Sequence, residues 1–152
     1  MSKPARYTGG EWNSIVKEWE ACDVRWALAF PDIYDLGMSN HGLSILYDRL
    51  NSTDGTLAER VFAPWIDMEE ALRGARLPLF SLESHRPLAQ FDIIGFSVPY
   101  EHLFTNVLNM LDLAELPVLA RERGETHPLV IAGGGAVSVS YTHLTLPTNR
   151  EV

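Results

Sequence analysis

Asp32, Asp35 and Glu101 follow apolar runs of the sequence, where paired carboxylates would form the simplest acid–base set. Nothing in the sequence fixes their separation, and carboxylates in loops are ordinarily solvated, so no catalytic role is assigned to them. His41, His85 and His102 lack the second ligand at fixed spacing that a metal site needs, and no metal site is assigned. The single cysteine, Cys22, can make neither an internal disulfide nor a three-cysteine iron–sulfur site. Gly133-Gly134-Gly135 follows an apolar run but has neither the spacing nor the lysine of a phosphate-binding loop. The remaining candidates permit approach rather than react. The three glycines allow positive φ and close backbone contact. Ser97 puts a small hydroxyl at the end of an apolar run, where a flat ring or tail could come near.

These residues need a frame, and the sequence supplies an α/β one. Val24 to Leu50 reads as a buried strand (Val24 to Phe30), a loop carrying Gly37, and a helix capped by Ser39 or Asn40. Leu43, Leu46, Tyr47 and Leu50 supply that helix's apolar stripe. Leu57 to Ala63 predicts a second strand, although Glu59 and Arg60 interrupt it. Pro64 opens a helix over Trp65 to Gly74 that buries Trp65 or Ile66, Met68 or Ala71, and Leu72. Leu77 to Leu82 predicts a short outer strand, placed at an edge by Pro78. Asp92 to Val98 is a further strand, a helix follows over Tyr100 to Leu113, and Leu129 to Ala132 is a last buried strand. Ahead of the first strand, Trp12, Ile15, Val16 and Trp19 fall at helical spacing and predict a lead-in helix over Glu11 to Glu20. Strands alternating with helices give a doubly wound, mostly parallel α/β sheet, and such sheets take ligands beyond the carboxyl ends of their strands.

Composition excludes several classes. The chain has 152 residues with a formal net charge of -8 and no Lys/Arg cluster, which argues against a nucleic-acid partner. Its polar start is no signal peptide, and no apolar run is long enough to suggest a membrane span, so no membrane partner is expected. With one thiol, a reducing, cytoplasmic setting is the expectation. The domain expectation is an arm and lead-in helix over 1–23, a domain over 24–137, and a foreign tail over 138–152. From Ser138 apolar periodicity is lost, and residues 139–148 (VSYTHLTLPT) resemble one translated frame of the transposase mosaic-end adapter used in sequencing libraries. On that expectation the fold is truncated at its C-terminus by a metagenomic read running into adapter.

RYTGGEWN, LAFPDIYDLGMSNHG, AERVFAPW, LPLFSLES, FDIIGFSVPYE, TNVLNMLDLA and LVIAGGG together resemble the N-terminal region of a family of radical S-adenosylmethionine (SAM) proteins. In these, a B12-binding-like, Rossmann-like domain precedes the radical SAM barrel. The resemblance implies a [4Fe–4S] cluster and SAM only in a downstream domain of the same polypeptide, which would be this domain's partner. It also makes cobalamin a candidate ligand here, and the chain itself non-catalytic. Cobalamin-binding domains carry Asp-x-His-x-x-Gly after the first strand. This chain has Asp32, Tyr34 and Gly37 at the corresponding places, with tyrosine where the cobalt-ligating histidine would stand. By the same resemblance Ser97 and Gly133, Gly134 and Gly135 would accommodate the cofactor's nucleotide tail. Two other expectations stay open: a ligand-free scaffold that keeps the fold for interdomain docking, and a free-standing flavodoxin-like nucleotide-binding protein.

Overall fold

The computed structural model describes residues 3–140. Four strands, β1 (Val24–Phe30), β2 (Thr56–Phe62), β3 (Ile93–Ser97) and β4 (Leu129–Gly133), form one all-parallel sheet in the order β2-β1-β3-β4. The helices are α1 (Tyr34–Gly37), α2 (His41–Asn51), α3 (Ile66–Ala75), α4 (Phe104–Leu113) and α5 (Gly135–Ser140). The doubly wound α/β arrangement expected from the sequence is the one observed.

Strand register sorts the side chains into two layers, because successive residues point to opposite faces. Leu28 pairs with Arg60 on one side and Gly95 on the other, and Gly95 pairs with Ile131, so these four share a face. Trp26, Leu28, Phe30, Ala58 and Phe62 pack there with Leu43 and Tyr47 of α2. The opposite face presents Ala27, Ala29, Val61, Ile94, Phe96 and Val130 to α3 and α4, which contribute Met68, Leu72, Val107, Met110 and Leu111. Right-handed crossovers explain the split: β1 to β2 runs one way along the sheet and β3 to β4 runs the other, so their connecting helices fall on opposite faces.

Local chemistry sets the helix ends. Asn40 caps α2 by accepting the Leu43 N–H on its side-chain oxygen at 2.9 Å. At its other end Lys17 donates to the Asn51 carbonyl at 2.6 Å, a cation on the last-turn oxygens. α3 stops at Arg76, which adopts a left-handed conformation with φ 53° and donates back into the last turn.

Several expectations are corrected. Glu11 to Glu20 is not a helix. Apart from a single turn closed by the Ser14 N–H on the Glu11 carbonyl and a 3-10 turn at Trp19–Ala21, it is extended, and Trp12 and Val16 are exposed. Ile15 and Trp19 satisfy a period of two as well as a helical one. In the extended segment Ile15, Lys17 and Trp19 face inward, while Val16, Glu18 and Glu20 face out. Its backbone is satisfied elsewhere, as when the Ile15 N–H donates to the Tyr47 hydroxyl at 2.8 Å. Leu77 to Leu82 forms no strand. The Leu79 N–H goes to the Leu113 carbonyl and that of Leu82 to Arg60, so the segment never follows one ladder; it makes only an isolated bridge between Phe80 and Pro87. Trp65 and Ile66 are exposed rather than buried, because Trp65 is the residue before α3 and only Met68 and Leu72 turn inward. Ser138 to Ser140 continue the helix that begins at Gly135, with the Ser138 N–H donating to the Gly134 carbonyl. The rest of the tail expected to be foreign lies outside the described residues.

Candidate functional site

The carboxyl ends of β1, β3 and β4 carry the ligand-contacting residues expected from the sequence, but in two separate places. Asp32, Tyr34 and Gly37 belong to the β1 exit, and each is held by packing. The Asp32 carboxylate accepts the Ile33 N–H at 2.7 Å, and its carbonyl accepts the Ala63 N–H at 3.0 Å. The Tyr34 hydroxyl donates to Glu11 at 3.1 Å, and its ring meets Phe62 edge-on with centroids 5.6 Å apart. Burial, reinforced by the neighbouring Glu11 carboxylate, pushes the Tyr34 phenol above its ordinary pKa. A Cβ at Gly37 would run into the Phe62 ring, so glycine is required there for packing. Asn106 donates to the Pro31 carbonyl at 2.8 Å, and Arg6 pairs with Asp35 at 2.6 Å, which fastens the loop from two further sides.

Ser97, Gly133 and Gly134 lie elsewhere, in a groove of about 580 Å³ on the α2 face of the sheet. Its floor is Trp26, Leu28, Gly95 and Ile131, and one wall is the flank of α2 with Leu46 and Leu50. Gly134 has φ 113°, and a Cβ there would sit 2.6 Å from the Val98 carbonyl oxygen. Only glycine lets the β4 exit cross β3 this closely. Gly135 starts α5 and is not part of the groove lining.

A third cluster, a buried charge network, lies behind the β1 exit. Arg60 on β2 is 3% exposed. Its Nε donates to Glu83 at 2.6 Å, and the two terminal nitrogens donate to Asn13 at 3.0 Å and Ser14 at 3.1 Å. The guanidinium also lies 4.4 Å from the Tyr47 ring centroid. Glu83 accepts the Arg60 backbone N–H as well, at 2.7 Å. Burial pushes the Glu83 carboxyl above its ordinary pKa, against the opposing pull of Arg60. Tyr47 is raised to about 12, chiefly by burial. The Glu59-Arg60 pair that interrupts the β2 run was the only trace of this network in the sequence; its partners come from segments more than 20 residues away.

Chemically, the groove can receive apolar or planar groups and can exchange few protons. His41 is exposed at the start of α2, His85 bonds the Tyr7 carbonyl at 3.1 Å, and His102 stacks on Tyr100. Among the described residues no group of three His, Cys, Asp or Glu side chains could hold a metal ion, and no helix is long and apolar enough to cross a membrane. The arrangement fits the two halves of a corrinoid unequally. The tail side, with Ser97, Gly133 and Gly134, is open. The cobalt side offers no imidazole, and Tyr34 is already committed to Glu11 and Phe62.

Residues 42–144 match the family model described as radical SAM proteins, N-terminal. The match begins after the Asp32–Gly37 loop and takes in Ser97 and the three glycines. No curated protein and no solved structure matches the chain.

Proposed function

The chain belongs to the family of radical SAM N-terminal domains, and from that premise we propose that it is a non-catalytic domain packed against a downstream SAM and [4Fe–4S] barrel of the same polypeptide. The observation that carries this reading is the carboxyl edge of the sheet. Where an α/β enzyme would gather reactive groups, this one gathers glycines, a serine and apolar side chains, and the Asp32 and Asp35 carboxylates are spent on backbone and arginine while Glu101 is exposed. The domain would then cover one side of the barrel's active site and shape access to it. The test compares the protein expressed from its intact gene with the same protein lacking residues 1–137. Loss of substrate turnover with retained SAM cleavage supports the covering role. Unchanged turnover without the domain, or turnover by the domain alone, refutes it.

A second reading is that the domain holds cobalamin, and the open groove at Ser97, Gly133 and Gly134 favours it. Any corrinoid held here would lack a histidine from the β1 loop. Titration with hydroxocobalamin decides the matter: a spectral shift with retention on gel filtration supports it, and neither ends it. The cytoplasmic setting and the adapter origin of the tail stand as proposals of the same rank, the latter tested by the genomic sequence after codon 137.

A further inference from the structure

We infer that the open face over β3 and β4 is the seat of a second helix lying beside α2, an amphipathic one supplied by the same polypeptide. The inference rests on the reading that the domain is part of a larger radical SAM chain, and it identifies the groove's occupant.

The two faces of the sheet are unequally covered. Strands about 4.8 Å apart make a four-stranded face about 14 Å wide between its outer axes, and packed helices lie about 8–10 Å apart, so such a face takes two helices side by side. One face carries two, α3 and α4, and buries Ile94, Phe96 and Val130 to 2% exposure or less. The other carries α2 alone, over β1 and β2. On that side Ile93, Gly95 and Ser97 of β3 and Ile131 of β4 are only half-buried, and Leu129 is 43% exposed. Parallel sheets are otherwise covered on both faces.

The lining indicates what belongs there. No charged side chain borders the groove, and Ser97 supplies its one hydroxyl. A small-molecule site of this size ordinarily brings several polar groups to bear on its ligand. An aliphatic helix stripe needs none. On α2, Ile45 and Leu46 are 66% and 47% exposed toward this groove, as if flanking a neighbour. Gly42 and Gly95 leave room for close approach at wall and floor.

Topology indicates where the helix comes from. α5 leaves β4 on the covered side, with Ala136 buried in the α3–α4 core. Polypeptide that continues from α5 therefore reaches the open face by passing the outer edge of β4, which no strand among the described residues pairs. The observed order is that of the first four strands of the common 2-1-3-4-5 sheet, which has its next strand at that edge.

The test places the photo-crosslinking residue p-benzoylphenylalanine at position 46, and separately at position 131, in the protein expressed from its intact gene. Both probes should form intramolecular links to one helical peptide downstream of residue 133, with hydroxocobalamin making no difference. Links to a second copy of the chain, absence of links at both positions, or links abolished by hydroxocobalamin would each overturn the inference. None of these outcomes bears on whether the domain is needed for turnover, so the proposed function is tested separately.

Discussion

At β2 the sheet ends in charge and at β4 it ends in hydrocarbon, yet the charged side is the closed one. Arg60 and Glu83 lie beneath the extended N-terminal segment and the 79–87 loop, with each nitrogen of the guanidinium hydrogen-bonded. Ile131 lines an open groove, and Leu129 at the start of β4 is exposed. Burial here follows from what the chain lays over a surface, not from the polarity of the surface itself. The N-terminal residues wrap β2 because Asn13, Ser14, Lys17 and Tyr47 give their backbone and side chains partners there. At β4 the described residues contain no such partner.

The largest effect should come from breaking the closed side. Arg60→Ala leaves the Glu83 carboxylate buried without its cation, and removing one member of a buried pair costs about 3–5 kcal/mol. Chemical denaturation should show that loss. The double variant Arg60→Met with Glu83→Leu should recover most of it, because nothing charged is then stranded.

Next, the β4 exit sharpens the contrast at adjacent glycines. Gly134→Ala forces a side chain into a positive φ and against the Val98 carbonyl, at about 1–3 kcal/mol. Gly133→Ala, where an added Cβ meets nothing within 4 Å, should stay within about 0.5 kcal/mol. Equal losses at the two positions would show that the close crossing of β4 over β3 is wrong.

Smaller still is the α2 cap: Asn40→Ala should cost about 1 kcal/mol in the same measurement. The last effect shows only in alkali. The folded Tyr47 phenol titrates at about 12, against an ordinary value of 10.0. Its contribution is therefore complete below pH 10 and is lost as pH rises toward 12. Stability measured against pH should fall across that window in the native sequence and fall less in Tyr47→Phe. Glu83 follows the same sign at lower pH. Its raised carboxyl favours the folded state most in acid, and that contribution disappears as pH rises through the folded value.

Much of the frame was legible in the sequence. Val24 to Phe30 is apolar except for Arg25 and is ended by Pro31, and it forms β1 with those bounds. Asn40 precedes the apolar stripe of α2 and caps it. Local signals of this kind need no tertiary partner. Where the sequence misled, the deciding contact was distant. Ile15 and Trp19 fit two periods, and the Tyr47 hydroxyl, 32 residues from Ile15, selects the extended one. Leu77 to Leu82 has a strand's composition, but its N–H groups find Leu113 and Arg60 rather than one neighbour. Leu46 belongs to the predicted buried stripe yet stands exposed, because the surface it would meet is the open groove. At the candidate site, Ser97, Gly133 and Gly134 come together as the strand order requires. Asp32, Tyr34 and Gly37 are drawn instead toward Phe62 and the N-terminal segment, through contacts with no local signature.

The most direct test of the unequal faces is thiol accessibility in the protein expressed from its intact gene. Single variants Ile131→Cys, on the groove floor, and Ile66→Cys, on the outer surface of α3, are treated with a maleimide under native conditions. The account predicts that position 66 labels rapidly while position 131 is protected until the protein is unfolded. Equal, rapid labelling at both positions would contradict it.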